Sequence, residues 1–194
     1  MGQVQAIPEE EFSMRPGMPV AAAVGVLLVG ASAAPSNAAS SGGTTTTFTV
    51  SGGALGITIP ASAALGTSTP GGTVSAQLGA VSVSDNRALL TAAWTTSVTS
   101  SSFTTGGGTS AETIPAAGVS YWSGVATATS GVGTFTPGQA TALVAATLDT
   151  SRTAYTLTVG VGDNSATWNP TLVVALPAAA VGGTYTGTVT HSVA

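Results

Sequence analysis

The chain contains no cysteine and no lysine, and it has only three arginines in 194 residues. Without cysteine there can be no disulfide, no iron–sulfur cluster and no thiolate-bound zinc. Nucleic acids and anionic membranes bind proteins largely through lysine and arginine, which neutralise phosphate groups. We therefore expect no nucleic-acid partner and no charged membrane surface, and we predict no metal or other cofactor.

Charged residues make up only 5% of the chain, whereas hydrophobic residues make up 43%. This balance is the opposite of a disordered chain, which combines low hydrophobicity with high net charge. Threonine, serine, glycine, alanine and valine dominate, and threonine and valine favour the half-buried surface of a β-sheet. The composition is typical of a secreted β-protein whose surface carries hydroxyl groups in place of charges.

A short apolar run at residues 20–30 is followed by small residues. It has the length of a signal-peptide core and is too short to span a bilayer. Ser36-Asn37-Ala38 is the preferred cleavage site, and Ala31-Ser32-Ala33 is a second candidate. We therefore predict that residues 1–38 are a signal peptide and that the processed protein is extracellular, without a membrane span. The alternative is a buried apolar helix of a soluble protein.

The residues before this run are acidic, because Glu9, Glu10 and Glu11 stand where a signal peptide has a basic region. Translation from Met14 would place Arg15 just ahead of the apolar core and restore a positive charge. The sequence therefore favours Met14 as the true start.

Beyond a flexible leader predicted for residues 39–47, apolar and polar residues alternate in a series of short runs. A period of two is typical of half-buried strands. The last run, residues 185–193, places His191, the only histidine, on its apolar face. The other predicted strands lie at residues 48–50, 55–59, 74–78, 81–83, 90–98, 119–129, 142–148, 155–161 and 172–176.

About nine or ten short strands, with turn residues between them and no convincing helix, predict one all-β domain over residues 48–194. We predict an antiparallel β-sandwich of immunoglobulin-like architecture. Residues 142–148 are apolar enough for a short helix, but Pro137-Gly138 before them and the surrounding strands favour a strand. A turn is predicted at Gly162-Asp163-Asn164.

Nine short pieces of the chain form a recognisable series. They are Leu55-Gly-Ile-Thr-Ile-Pro60, Val81-Ser-Val-Ser-Asp85, Ala93-Trp94-Thr-Thr-Ser-Val98, Ser102-Phe103-Thr104, Ile114-Pro115, Val119-Ser-Tyr121, Trp168-Asn-Pro-Thr-Leu172, Val174-Ala-Leu-Pro177 and Gly183-Thr-Tyr-Thr-Gly-Thr-Val189. Taken in this order, they resemble the WxL domain of Gram-positive surface proteins. The likeness covers most of residues 48–194 and implies a secreted, WxL-like module; the family attaches noncovalently to the cell wall. The abundance of alanine, glycine and threonine and the lack of lysine resemble actinobacterial versions.

The chain departs from the family at the Trp-x-Leu motifs themselves. The first candidate motif is Trp94-Thr95-Thr96, with threonine where leucine belongs. In the closing strand, His191-Ser192-Val193 stands where the second Trp-x-Leu belongs. Wall attachment in the family is tied to these two motifs, so both departures concern the residues that carry the family's function.

His191 is the one residue that could act as the base of a Ser-His-Asp hydrolase, with Asp85, Asp149 or Asp163 as its partner. No nucleophile-elbow pattern accompanies them. A buried imidazole that replaces an aromatic core residue explains His191 more simply. We therefore predict no catalytic residue and no enzyme activity. A calcium site at Asp163-Asn164 would have a single carboxylate, so the sequence supports such a site only weakly.

Tryptophans are the other candidates for a site, because aromatic faces stack on the apolar faces of sugars. Trp94 shares a face with Leu90 by parity, so we predict it in the core. Adjacent residues of a strand face opposite ways, so either Tyr121 or Trp122 is exposed. We predict Trp122 and Trp168, the latter next to a turn, as ligand-binding residues.

These observations favour a non-catalytic, secreted, WxL-like module that associates noncovalently with the cell wall or another surface component. Its partner would be a cell-wall polymer or a surface protein. The alternative is a structural subunit of an extracellular filament or adhesin, because uncharged strand edges can accept strands from other chains. Self-association is expected in that case.

Overall fold

The structure, a computed structural model, describes residues 43–194. This range contains twelve strands and three short 3-10 helices, and every strand pairing is antiparallel. The predicted all-β, antiparallel fold is confirmed, with more strands than expected. The strands are β1 Leu55–Thr58, β2 Thr73–Gln77, β3 Val81–Asp85, β4 Ala92–Ser100, β5 Phe103–Thr104, β6 Thr113–Ile114, β7 Val119–Trp122, β8 Ala126–Pro137, β9 Ala146–Thr147, β10 Arg152–Trp168, β11 Thr171–Ala175 and β12 Val189–Val193.

Thr47–Ala194 form a compact unit. The predicted signal peptide, its two cleavage sites and the start at Met14 lie outside the described residues, as do residues 39–42 of the predicted leader. Within residues 43–194, no helix is long and apolar enough to cross a membrane.

The larger sheet, sheet A, is organised around β10, which is 17 residues long. β8 pairs along one side of β10. On the other side, β4 pairs with the first part of β10 and β3 with its last part, so the sheet divides into two branches. β12 follows β4 and β1 follows β3, and these two outer strands contact each other. β8 pairs only with β10 among the described strands, so its second side is a free edge.

The smaller sheet, sheet B, has the strand order β2-β11-β7-β9, and β5 and β6 form a separate pair. One side of each large sheet supplies the core. Val83, Trp94 and Trp168 of sheet A are buried in the same cluster as Tyr121 and Leu172 of sheet B. Because side chains alternate along a strand, the opposite side of sheet B is left for solvent.

Several predicted strand boundaries are wrong. β10 runs through Gly162-Asp163-Asn164, which we predicted as a turn. Its register against β8 shifts between Val161 and Ser165, so the turn-forming residues make an irregularity within the strand instead of a chain reversal. Residues 142–148 form a 3-10 helix at Ala142–Val144 and then β9, instead of one strand.

The closing segment at residues 185–193 is regular only over its second half. A Cβ atom at Gly187 would lie 2.7 Å from the ring of Phe103, so this close approach of backbone and ring requires glycine. Thr186, just before it, makes a single bridge with Thr104. β12 therefore begins at Val189, and it still directs His191 into the interior.

Residues 48–50, which we predicted as the first strand, form no strand. Phe48 is 89% exposed and Val50 is 74% exposed. The next backbone contact along the chain is made at Gly53, whose N–H donates to the carbonyl of Asn86. A β-prone segment thus lies beside the domain without a partner strand in the described part of the chain.

Candidate functional site

Trp122 lies on the outward side of sheet B. It pairs with Thr171 on β11, and Thr171 pairs in turn with Gln77 on β2. Directly paired residues point to the same side of a sheet, so these three side chains form one row across three strands. Trp122 and Thr171 are half-buried and Gln77 is exposed, so the row is accessible to solvent.

A second row lies on the same side, two residues along each strand. It consists of Ser75, Val173, Ser120 and Thr147, which are paired across all four strands of sheet B. The two rows together define the outer face of sheet B. This face carries one indole, one amide, one valine and several hydroxyl groups, and none of its seven side chains is charged.

The outer face of sheet B has the chemistry that recognises a neutral sugar. An indole ring can stack on the apolar face of a sugar ring. Hydroxyl and amide groups beside it can donate to and accept from the sugar hydroxyls. The ion pair of Asp149 and Arg152 contacts the hydroxyl of Thr147 at one edge of the face, whereas the row of Trp122, Thr171 and Gln77 is uncharged. Binding at that row would depend little on salt concentration.

Tyr121, the neighbour of Trp122, points the opposite way, as the alternation predicts. It is completely buried and pairs with Leu172, which is also buried. Trp94, the one tryptophan predicted in the core, is 2% exposed, so that prediction is confirmed.

The prediction that Trp168 is a surface residue is wrong. None of its side chain is exposed, and its ring stacks on that of Tyr155 with 4.9 Å between centroids. The reason is the parity of β10, which turns Trp168 inward together with Ala166 before the chain reaches Asn169. Trp168 therefore packs in the core and cannot stack on an external ligand.

Trp168 belongs to a buried chain of polar contacts that crosses from sheet A to sheet B. Its indole Nε1 donates to the hydroxyl oxygen of Tyr121 at 3.3 Å. The same hydroxyl lies 3.1 Å from Nε2 of His191 on β12. An indole N–H can only donate, so the hydroxyl hydrogen of Tyr121 remains free to donate to His191. With the ring proton on Nδ1, Nε2 of a neutral His191 accepts from Tyr121; with the proton on Nε2, it donates to the same hydroxyl oxygen.

Burial lowers the pKa of His191 to about 4, which agrees with a neutral imidazole at neutral pH. Burial also raises the pKa of Tyr121 above its usual value, so the hydroxyl stays protonated and can donate. His191 is 7% exposed and lies on the wall of a cavity of about 190 Å³. Apolar neighbours such as Val81 and Leu172 line most of that wall.

The three aspartates that could have oriented His191 in a hydrolase are bonded elsewhere. Asp85 accepts from Arg87 at 2.8 and 2.9 Å through its two oxygens. Asp149 accepts from Thr147 and Arg152, and Asp163 accepts from the backbone N–H of Ala88. His191 is instead bonded to a tyrosine, so the acid–base–nucleophile order of a hydrolase is not assembled around it.

Asp85 is the centre of a second buried polar group, which sequence reasoning missed. Its side chain is fully buried, and it also accepts from the backbone N–H of Arg87 and from the amide of Asn164. The Oδ1 atom of Asn164 accepts from the indole of Trp94 at 2.8 Å. The hydrogen bonds from Arg87 hold the pKa of Asp85 below its usual value. The signal in the sequence was Asp85-Asn86-Arg87, an acid and a base two residues apart at the end of an apolar strand.

The suggested calcium site at Asp163-Asn164 does not fit these contacts. The oxygen of Asn164 is taken by Trp94, and one oxygen of Asp163 is taken by Ala88. In the described range, no three histidine, aspartate or glutamate side chains come together as a set that could hold a metal ion.

No family model, curated protein or solved structure matches this chain significantly. Function is therefore inferred from the geometry described above and from the resemblance seen in the sequence.

Proposed function

We propose that this protein is a non-catalytic, secreted surface protein that associates noncovalently with the sugar units of a cell-wall polymer through the outer face of sheet B. The observation that carries the proposal is the row of Trp122, Thr171 and Gln77, an accessible indole beside a hydroxyl and an amide on a regular sheet. The resemblance to WxL domains supports the general class of function, a secreted wall-associated module. The two Trp-x-Leu motifs that carry wall attachment in that family are altered here, so the outer face of sheet B is proposed as a separate wall-binding surface.

We propose an immunoglobulin-like sandwich as the architecture that presents this face. The support is the single hydrophobic cluster to which both large sheets contribute. A core shared in this way leaves one side of sheet B against sheet A and the other side free to bind. The absence of enzymatic activity is supported by the partner of His191, which is Tyr121 and not a carboxylate.

Replacing Trp122 with alanine is expected to weaken binding to purified peptidoglycan at least tenfold, which corresponds to about 1.4 kcal/mol. The indole provides most of the apolar area of the outer face of sheet B. Wild-type binding is expected to change little between low and high salt, because the row of Trp122, Thr171 and Gln77 carries no charge. Pelleting of the full chain with peptidoglycan measures both effects.

Leu90→Ala is the matched control for this substitution. Leu90 is a large apolar residue that is 82% exposed and precedes β4 in sheet A, away from the outer face of sheet B. We expect the Leu90 variant to pellet like the wild type and both variants to remain folded under the pelleting conditions, although loss of the half-buried indole lowers the unfolding midpoint of the Trp122 variant. Equal pelleting by the Trp122 variant would show that the wall polymer binds elsewhere.

Secretion is tested separately by the N-terminus of the protein recovered from culture medium. We expect mass spectrometry to find a chain that begins within a few residues of Ser36-Asn37-Ala38, because small residues there follow the apolar run. An exported chain that still contained the residues before Val20 would contradict the signal-peptide prediction.

A second function, self-assembly through strand edges, is favoured by one specific observation. β8 is 12 residues long, contains no charged residue and has exposed side chains over residues 127–134. Natural edge strands usually carry charged residues such as lysine, or proline, and these prevent pairing with another chain. In β8 the only such residue is Pro137, at its last position. An uncharged free edge of this length can accept a strand from a partner.

A further inference from the structure

We propose that residues 47–51 of one copy pair as an added strand with the free edge of β8 in a second copy. The inference rests on the second function proposed above, assembly through strand edges, and names the segment and the partner that carry it out.

The donor segment, Thr47-Phe48-Thr49-Val50-Ser51, has the sequence of a strand without the pairing of one. Its threonines, phenylalanine and valine all favour strands, and its apolar residues alternate. Phe48 and Val50 nevertheless stand 89% and 74% exposed. A local preference that the fold of one copy does not satisfy is expected at a functional site.

The acceptor edge is best formed by the first part of β8, residues 126–130. Gly131 and Gly133 have positive φ angles of 84° and 149°, and the register against β10 shifts beside them, so the strand is irregular there. The part before these glycines has the same length as the donor segment. Val125, just ahead of it, is 67% exposed and offers an apolar contact to Phe48 or Val50.

The donor and acceptor cannot readily meet within one copy. The donor segment leads into β1, and at the end of β10 the strands lie in the order β1, β3, β10 and β8. Three strand spacings of about 4.8 Å separate β1 from β8 by about 14 Å. A segment that crossed this distance over the end of the sheet would use most of its length before it could run along β8. A second copy can present its edge without that crossing.

This pairing joins two different surfaces, so it is heterologous. Each copy keeps a free donor segment at one end and a free acceptor edge at the other, and such contacts build open chains unless the rotation closes a ring. Assembly by this route would therefore grow with protein concentration beyond a dimer.

Sedimentation velocity of the purified full chain at increasing concentration tests the proposal. We expect the wild type to form a concentration-dependent series of larger species. Phe48→Lys in the donor and Ala128→Lys in the acceptor should each abolish that series, because each places a charge in the added strand pair. Thr44→Lys and Thr134→Lys are matched controls outside the two pairing segments, and both should still assemble.

A mixture of the two variants that should not assemble alone tests the pairing most directly. The Phe48→Lys copy retains a working edge and the Ala128→Lys copy retains a working segment, so the mixture should form one-to-one dimers and nothing larger. Assembly of the Phe48→Lys variant alone would overturn the proposal and show that β8 edges pair with each other, leaving assembly through strand edges intact. A wild type that stays monomeric at every concentration would overturn both this pairing and the more general proposal of assembly through strand edges. Peptidoglycan pelleting of the Phe48→Lys variant should remain normal, which separates assembly from wall binding.

Discussion

Replacing Asp85 with alanine is expected to lower the free energy of unfolding by about 3 kcal/mol at pH 7. The carboxylate is fully buried and accepts hydrogen bonds from Arg87 and Asn164. Its removal leaves an arginine and an amide without their partner. This loss of unfolding free energy is at the low end of the range for a buried ion pair, because the side chain of Arg87 is 30% exposed and can turn towards water. Urea unfolding of the full chain measures the change.

Asp149→Ala is the matched control, since Asp149 also pairs with an arginine but at the surface. Its ion pair with Arg152 spans 3.1 Å between side chains that are 37% and 46% exposed. Exposed pairs contribute only about 0–1 kcal/mol, so this variant should unfold near the wild-type midpoint. A loss of similar size in both variants would show that burial is not what makes the Asp85 pair important.

The local alternation of the sequence predicted much of the sheet structure. In β3, β4 and β7 buried residues alternate with more exposed ones, and most of the buried residues are apolar. A period of two is a property of the strand itself, so it can be read without knowing the fold. The pairing of strands depends on residues far apart in the chain, and so the free edge at β8 and the forked sheet around β10 could not be predicted.

In the candidate site too, local alternation predicts part of the geometry, and strand pairing decides the rest. Alternation predicted that Tyr121 and Trp122 face opposite ways, but only the pairing of Tyr121 with the buried Leu172 decides which of them faces the core. The prediction that Trp168 is exposed is wrong because a position next to turn residues such as Asn169-Pro170 does not by itself expose a side chain. The strand continues inward up to Trp168, and the turn residues follow it.

The unpaired state of residues 48–50 is a further case in which local preference and tertiary structure disagree. Thr47–Ser51 is rich in strand-forming residues, and it pairs with no strand among residues 43–194. Local preference fixes the conformation that the segment favours, while the partner must come from elsewhere. This disagreement, and not a motif, is what identifies the segment as a candidate donor strand.

Stability is expected to fall as the pH drops from about 6.5 towards 4, by at most about 3 kcal/mol, because of His191. Burial lowers the pKa of His191 from 6.5 to about 4 in the folded protein. Between these values the unfolded chain binds a proton and the folded protein does not, so acid favours unfolding. Protonation would also place a charge on a buried imidazole, with Nε2 able only to donate to the hydroxyl oxygen of Tyr121. Urea unfolding at a series of pH values measures the slope.

The variant His191→Gln separates this effect from that of the carboxylates. Glutamine keeps an acceptor for Tyr121 but does not titrate, so its stability should be nearly flat between pH 6.5 and 5. The pKa of Asp85 is lowered in the folded protein, so its contribution to stability is fully present above pH 3.8, the pKa of an unperturbed aspartate. That contribution is lost only as the pH falls through the lower pKa of the folded protein. A wild type and a His191 variant that lose stability in parallel above pH 5 would show that the imidazole is hydrated or already protonated in the fold. Loss confined to the wild type would establish that the closing strand holds a neutral histidine as part of the core.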